Sequence, residues 1–221
     1  MPMNQATRES TPMDDRAGTA SHSWIAPLLP GIPGLGWAEI RSAACELAQH
    51  GWAVLPGTYQ LAEHGAWLGS PGAVTLEPIP GFGRASEPTT MAMAMEWWTR
   101  RPYSVLLACG AGINAVEVTA THGNRVLKEL AGSAGGPVAV TPVGSWVFFV
   151  REDDVPLNPE LVADAPGRWY ASGSWIPLPP TRRDGLPYRW KVSPEATGWV
   201  LPTSSQLQSA FRTSLDGRAP S

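Results

Sequence analysis

The sequence predicts a mixed α/β fold with a largely antiparallel sheet and two to four helices. Three observations carry that expectation. Short apolar runs rich in branched residues recur along the chain, and two pairs of them are separated by only three residues, as in hairpins. Helical spacing of apolar residues is confined to a few short windows. Twenty-three glycines and twenty-three prolines among 221 residues cut the chain into short elements rather than long helices. Hairpins interleaved with helices are the pattern of a sheet covered by helices.

Taken in order, residues 1–23 are polar, rich in small side chains and without period, and are expected to be disordered. Residues 24–36 are apolar but broken by Pro and Gly, an extended lead-in. A helix fits 37–50, with Ile40, Ala44, Leu47 and Ala48 on one face and Gly51 stopping it. Residues 52–55 read as a strand ended by Pro56-Gly57. The stretch 58–90 is irregular, and loops of that length are more often functional than spacers. Thr89 or Thr90 caps a helix over 91–101, with Pro102 just beyond.

Strands at 103–109 and 113–119 flank Gly110-Ala111-Gly112, which reads as a three-residue hairpin loop. A helix over 122–130 turns Val126, Leu127 and Leu130 inward. Strands at 138–141 and 145–150 form a second hairpin across Pro142-Val143-Gly144. After a polar loop, strands are expected at 168–172, 174–178 and 188–192, and Pro177, Pro179 and Pro180 place the middle one at an edge or shorten it. A closing helix fits 204–211, followed by a loose tail over 212–221. One domain over residues 24–211 is the expectation for this length.

Apolar residues make up 43% and charged residues 16% of the chain, a globular composition. A net charge of −3 gives no overall pull toward polyanions, so nucleic-acid contact would need a local basic patch. Eleven tryptophans are expected mainly in the core. Cys45 and Cys109 are far apart and outside any Cys/His cluster, so two reduced, buried thiols are expected rather than zinc or a disulfide. No apolar run has spanning length and the amino terminus has no apolar leader, so the expectation is a cytoplasmic protein without membrane contact. Phosphate-cradling G-x-G-x-x-G or P-loop spacing is absent, as is the G-x-S-x-G elbow. His22, His50, His64 and His122 have no partner at metal-ligand spacing, and His50 fits a helix carboxyl end.

One charge stands out. The run Ile-Asn-Ala-Val-Glu-Val-Thr at 113–119 carries Glu117 inside an apolar strand, with Ile113, Ala115, Glu117 and Thr119 expected on one face. Such a carboxylate is a reagent, the remnant of one, or a half-buried side chain paired with a cation such as Arg168. A second feature is basic: Arg182, Arg183, Arg189 and Lys191 gather around one turn with Asp184 as the only acid. They could meet a phosphate backbone, with Trp175 or Trp190 stacking on bases, or simply be solvated.

Four segments resemble the bifunctional DNA primase/polymerase domain of the archaeo-eukaryotic primase superfamily. They are Ala48-Gln49-His50-Gly51-Trp52-Ala53-Val54-Leu55-Pro56, Trp97-Trp98-Thr99-Arg100-Arg101-Pro102, Thr141-Pro142-Val143-Gly144, and Ser174-Trp175-Ile176-Pro177-Leu178-Pro179-Pro180-Thr181 with Tyr188-Arg189-Trp190. They fall in the family's order over roughly residues 40–195. The resemblance implies a primase/polymerase-like fold. It also implies an Asp-x-Asp pair that holds divalent metal over a nucleotide's phosphates, a histidine on the strand after the Gly turn, and a further acid before the Pro-Pro strand.

This chain departs at all three places. Glu117 and Thr119 stand where the two aspartates are implied, Ser145-Trp146-Val147-Phe148-Phe149 has no histidine, and Gly167-Arg168-Trp169-Tyr170-Ala171-Ser172 offers a base and no acid. One carboxylate makes a poor magnesium site. The expectation is therefore a degenerate member with Glu117 and Thr119 as inactive remnants of the catalytic positions. It would bind a nucleotide, single-stranded DNA or a protein partner through Arg168, Arg182, Arg183, Arg189 and Lys191, with no cofactor. Two alternatives stand beside it. One is a metal-dependent primase or polymerase using Mg or Mn through Glu117 with Glu63, Glu77 or Glu87; the other is an interaction protein with no nucleotide link.

Overall fold

The computed structural model describes residues 35–82, 87–131, 135–155, 158 and 167–216. The segment expected to be disordered, 1–23, lies outside the described residues, as does the lead-in up to residue 34. Chain order is α1 (Leu35–Gln49), β1 (Val54–Gly57), α2 (Met91–Arg100), β2 (Ser104–Ala108), β3 (Ile113–Val118), α3 (Ala120–Ala131), β4 (Val138–Val140), β5 (Trp146–Arg151), β6 (Gly167–Tyr170), β7 (Trp175–Pro177), β8 (Arg182–Arg183), β9 (Leu186–Pro187), β10 (Arg189–Val192) and α4 (Ser204–Asp216). A 3-10 turn at Glu195–Thr197 precedes α4. The fold is mixed α/β, with every paired strand antiparallel.

The strands form a three-stranded sheet in the order β1-β2-β7, a five-stranded sheet in the order β10-β4-β5-β3-β6, and the small β8-β9 hairpin. The central strands of the larger sheet are buried on both faces, which is why β5 reads as a continuous apolar run rather than an alternation. Val147 and Phe149 point to one side, where they meet α1, α2 and the inner face of the smaller sheet through Trp52, Val54, Trp98 and Leu107. Trp146, Phe148 and Val150 point to the other, against Val126 and Leu130 of α3 and Leu207 and Phe211 of α4. Gly123 lets α3 lie directly on β5: a Cβ there would come within 2.7 Å of the Trp146 ring.

α1 buries the expected face, Ala44, Leu47 and Ala48, and ends at Gly51 in the left-handed region (φ +80°). Thr90 caps α2, its hydroxyl accepting from the Met93 amide. The β4–β5 hairpin forms as expected, and the proline-bearing β7 does lie at a sheet edge. Pro179 and Pro180 lack amide protons, and Thr181 takes over the pairing. Its buried hydroxyl accepts from the Val105 amide at 2.8 Å and donates to the Val105 carbonyl at 3.0 Å. Thr203 and Gln206 open α4 with a reciprocal capping box.

Three expectations are corrected. β1 runs Val54–Gly57 rather than 52–55, with Pro56 inside it, because β1 is an edge strand where a missing amide is tolerated. β2 and β3 do not form a hairpin: β2 pairs with β1 and β7, whereas β3 pairs with β5 and β6. The chain turns sharply at Gly110 (φ +99°), where a Cβ would lie 2.5 Å from the Ser172 Cα, and the two strands diverge into different sheets. The last helix continues past Phe211 to Asp216, so residues 212–216 are helical; 217–221 lie outside the described residues. No helix among the described residues is long and apolar enough to cross a membrane.

The end of α1 is tied to the 3-10 turn by two contacts. His50 stacks flat on Trp199, ring centroids 3.6 Å apart at 4°. Burial, and then a hydrogen bond and like charge from Glu195, push the Glu46 carboxyl up to about 7 from its ordinary 4.5. A carboxyl whose folded pKa is raised stabilises the fold while both states are protonated, and that contribution is lost as pH rises from the unfolded value through the folded one. Glu46→Gln, which fixes the neutral form, should therefore gain on the wild type as pH rises from about 5 to about 8. Thermal melts of both chains across that range check it; a constant gap would contradict the carboxyl pairing.

Candidate functional site: a cleft lined by arginine and tyrosine

Glu117 sits next to the end of β3, on the face it shares with Ile113 and Ala115. β6 runs antiparallel beside it, in a register that places Arg168 opposite Glu117 and Tyr170 opposite Ala115. Tyr170 is thus the diagonal neighbour of Glu117, within reach of a long side chain. Its hydroxyl donates to Glu117 Oε2 at 2.7 Å. The Arg168 guanidinium does not pair with the carboxylate as the sequence suggested. It lies over the Tyr170 ring, 4.8 Å from the centroid, because the phenol has already taken the position beside Glu117.

Next to this trio a cleft of about 350 Å³ opens between the larger sheet and the smaller one. Arg168 and Tyr170 of β6 form one wall. Ser174, Trp175 and Pro177 from β7 and its lead-in form the second, with Arg183 of β8 and Tyr188 opposite and Leu76 contributed by the long irregular loop. The phenols are buried and the two guanidiniums are exposed at the mouth. Burial raises the pKa of Tyr170, and the hydrogen bond and charge of Glu117 raise it further, against an opposing effect of Arg168. Burial also raises Tyr188, and the nearby Arg183 opposes that shift. Both phenols therefore stay protonated at neutral pH, and Tyr170 serves as a donor. Burial pushes the Cys109 thiol up to about 12, so it is no nucleophile.

Of the residues singled out from sequence, Arg168, Arg183 and Trp175 line this cleft, with Glu117 one hydrogen bond behind it. Thr119 does not join them. β3 ends at Val118, and Thr119 starts α3 instead: its carbonyl accepts from the Gly123 amide and its hydroxyl lies 3.1 Å from His122 Nδ1. Arg182, the strand neighbour of Arg183, closes its own turn by donating to the Gly185 carbonyl at 2.8 Å. Arg189 and Lys191 lie on β10, at the opposite edge of the five-stranded sheet from β6. Lys191 covers the Trp146 ring on the α3/α4 face, whereas Trp190 packs into the central core against Trp52 and Phe149.

Tyr170 and Tyr188 were not legible as site residues. The faint signal for Tyr170 was its place two residues after Arg168, on the same face of a strand.

The metal implied by the resemblance finds a poor donor set here. Glu117 is a single carboxylate already accepting from Tyr170, and two guanidiniums share its cleft. Like unit charges 4 Å apart cost about 4 kcal/mol at an effective dielectric of 20, and a divalent ion doubles that. Glu63, from the loop, packs against Gly185, Glu77 holds Thr58 through its amide, and Glu87 is exposed. Among the described residues no three His, Cys, Asp or Glu side chains gather as metal ligands. The described residues do not fit a divalent cation.

Helix-covered antiparallel sheets with a cleft beside the β3–β6 pair make a mixed α/β domain. The chain belongs to the bifunctional DNA primase/polymerase, N-terminal, family, which it matches over residues 44–204, from within α1 to the first residue of α4. The match takes in both sheets and the whole cleft. No curated protein matches the chain significantly.

Replacing Tyr170 by Phe removes the donor from a half-buried carboxylate and should cost about 1–2 kcal/mol near neutral pH. A phenol held protonated above its unfolded pKa, near 10, stabilises fully below that pH and loses its contribution as pH rises through the folded value. Urea denaturation at about pH 7 and about pH 11 should show the wild-type advantage shrinking at the higher pH. An unchanged stability at neutral pH would contradict the bond.

Proposed function

We propose that this domain does not transfer nucleotides and instead binds a nucleotide or single-stranded nucleic acid in the cleft between its two sheets. The observation that carries this reading is the reversal of charge on β6. Where the family resemblance implies an acid, Arg168 stands, and the one carboxylate opposite it is engaged by Tyr170. Phosphoryl transfer between a hydroxyl and a nucleotide needs positive charge placed on attacking and leaving oxygens by metals held on several acids. Two guanidiniums can hold phosphate oxygens through charge-assisted hydrogen bonds, but they do not generate a nucleophile. Trp175, half-buried in the wall, offers a face on which a base could stack.

Nucleotide incorporation on a primed template and on an unprimed one, with Mg or Mn, tests the loss of chemistry. The expected outcome is no metal-dependent product from the wild type. Product that disappears in Glu117→Ala would establish the enzymatic alternative instead. Anisotropy of labelled single-stranded DNA at two salt concentrations tests the binding. Affinity should fall with salt and be lost in Arg168→Ala/Arg183→Ala. Absence of binding at low salt would turn the reading toward a protein partner.

A further inference from the structure

We infer that the cleft holds its phosphate-bearing ligand without a divalent cation, the positive charge coming from Arg168 and Arg183. The inference rests on the binding reading above and adds to it the chemistry of the site. Its starting point is the mismatch between a family whose resemblance implies metal and a donor set that would repel it.

Each guanidinium is held in a way that leaves it available. Arg168 lies over the Tyr170 ring and makes no ion pair among the described residues, so its N–H groups can turn to a ligand. Arg183 lines the cleft beside Tyr188. Its one ion pair, Nε to Asp184 at 3.9 Å with both side chains more than half exposed, is of the weak surface kind. The β8–β9 hairpin that carries Arg183 has two residues in each strand, too few to stand alone. The long loop supports it: Gln60 Oε1 accepts from the Asp184 amide, while Gln60 Nε2 donates to the Gly65 carbonyl at 2.7 Å. The irregular stretch 58–82 thereby helps to place a cation in the cleft, which gives that loop a task beyond connection.

Size and sign define the ligand class. A cavity of about 350 Å³ is at the small end of ligand pockets and suits one nucleotide unit rather than a duplex. Among the described residues lining it none is acidic, and Glu117 turns its Oε2 to Tyr170. A phosphate therefore meets two cations without needing a metal to screen it from carboxylates. The remaining basic pair, Arg189 and Lys191, belongs to the opposite sheet edge and serves as an internal control.

The test is binding of a fluorescently labelled deoxynucleoside triphosphate to the wild-type chain in EDTA and in excess magnesium, with inorganic pyrophosphate as competitor. Affinity in EDTA should equal or exceed that in magnesium. Arg168→Gln and Arg183→Gln should each weaken it about tenfold or more, as expected for loss of a charge-assisted contact, and Arg189→Gln should leave it unchanged. Binding that appears only with magnesium or manganese overturns the inference while leaving the binding reading standing. Absence of binding in both conditions overturns both. Equal affinity in all three arginine variants also overturns it, since the contact would then lie elsewhere. The EDTA and magnesium arms use the unmodified chain, so their outcome does not depend on how a variant folds.

Discussion

The pairing of β3 with β6 is the constraint on which the site depends. β3 is sandwiched between β5 and β6 and is apolar on both faces except at Asn114 and Glu117. A charged group inside such a strand must find a partner or be expelled. The antiparallel register supplies one: it brings Tyr170 diagonally against Glu117, and the short bond between them fixes the phenol, which in turn carries the Arg168 guanidinium on its ring. One residue of slip would turn Arg168 and Tyr170 to the face covered by α3 and α4 and leave the carboxylate alone. The sign of the cleft thus follows from strand pairing.

The family resemblance is carried largely by residues whose work here is structural. Gly51 stops α1. Trp98 is buried, its indole N–H given to the Tyr103 carbonyl at 2.8 Å. The turn around Pro142 and Gly144 joins β4 to β5. The Pro-Pro-Thr segment extends the smaller sheet through the Thr181 hydroxyl, which replaces a backbone amide pair. Scaffold punctuation and catalytic acids are independent features of a sequence. A chain can keep the first, since folding requires it, while the residues over the cleft change class.

Elements governed by local rules could be read from the chain alone: α1 with its Gly stop, α2 with its Thr90 cap, the β4–β5 hairpin, and the edge position of β7. What could not be read depended on partners distant in sequence. The Gly110 turn looks like a hairpin loop, but it packs close to Ser172 and β2 and β3 pair with different strands. Thr119 alternates with Glu117 in the sequence, yet the strand stops one residue earlier because that threonine starts α3. Four of the five basic residues cluster in sequence around a turn, but the β8–β9 hairpin and β10 send them to different faces, and only Arg183 joins Arg168 at the cleft. Tyr170 and Tyr188 carry no chemical signature alone; register and burial make them site residues.

Charge is what the proposal turns on: among the described residues one carboxylate, Glu117, stands behind the cleft engaged by a phenol, and two arginines line it. Electron paramagnetic resonance of manganese in the presence of excess protein measures that directly. The spectrum of the free ion should be undiminished by the wild-type chain and identical with Glu117→Gln. Loss of the free-ion signal with the wild type, restored in Glu117→Gln, would mean that Glu117 holds metal and would contradict a cation-free cleft.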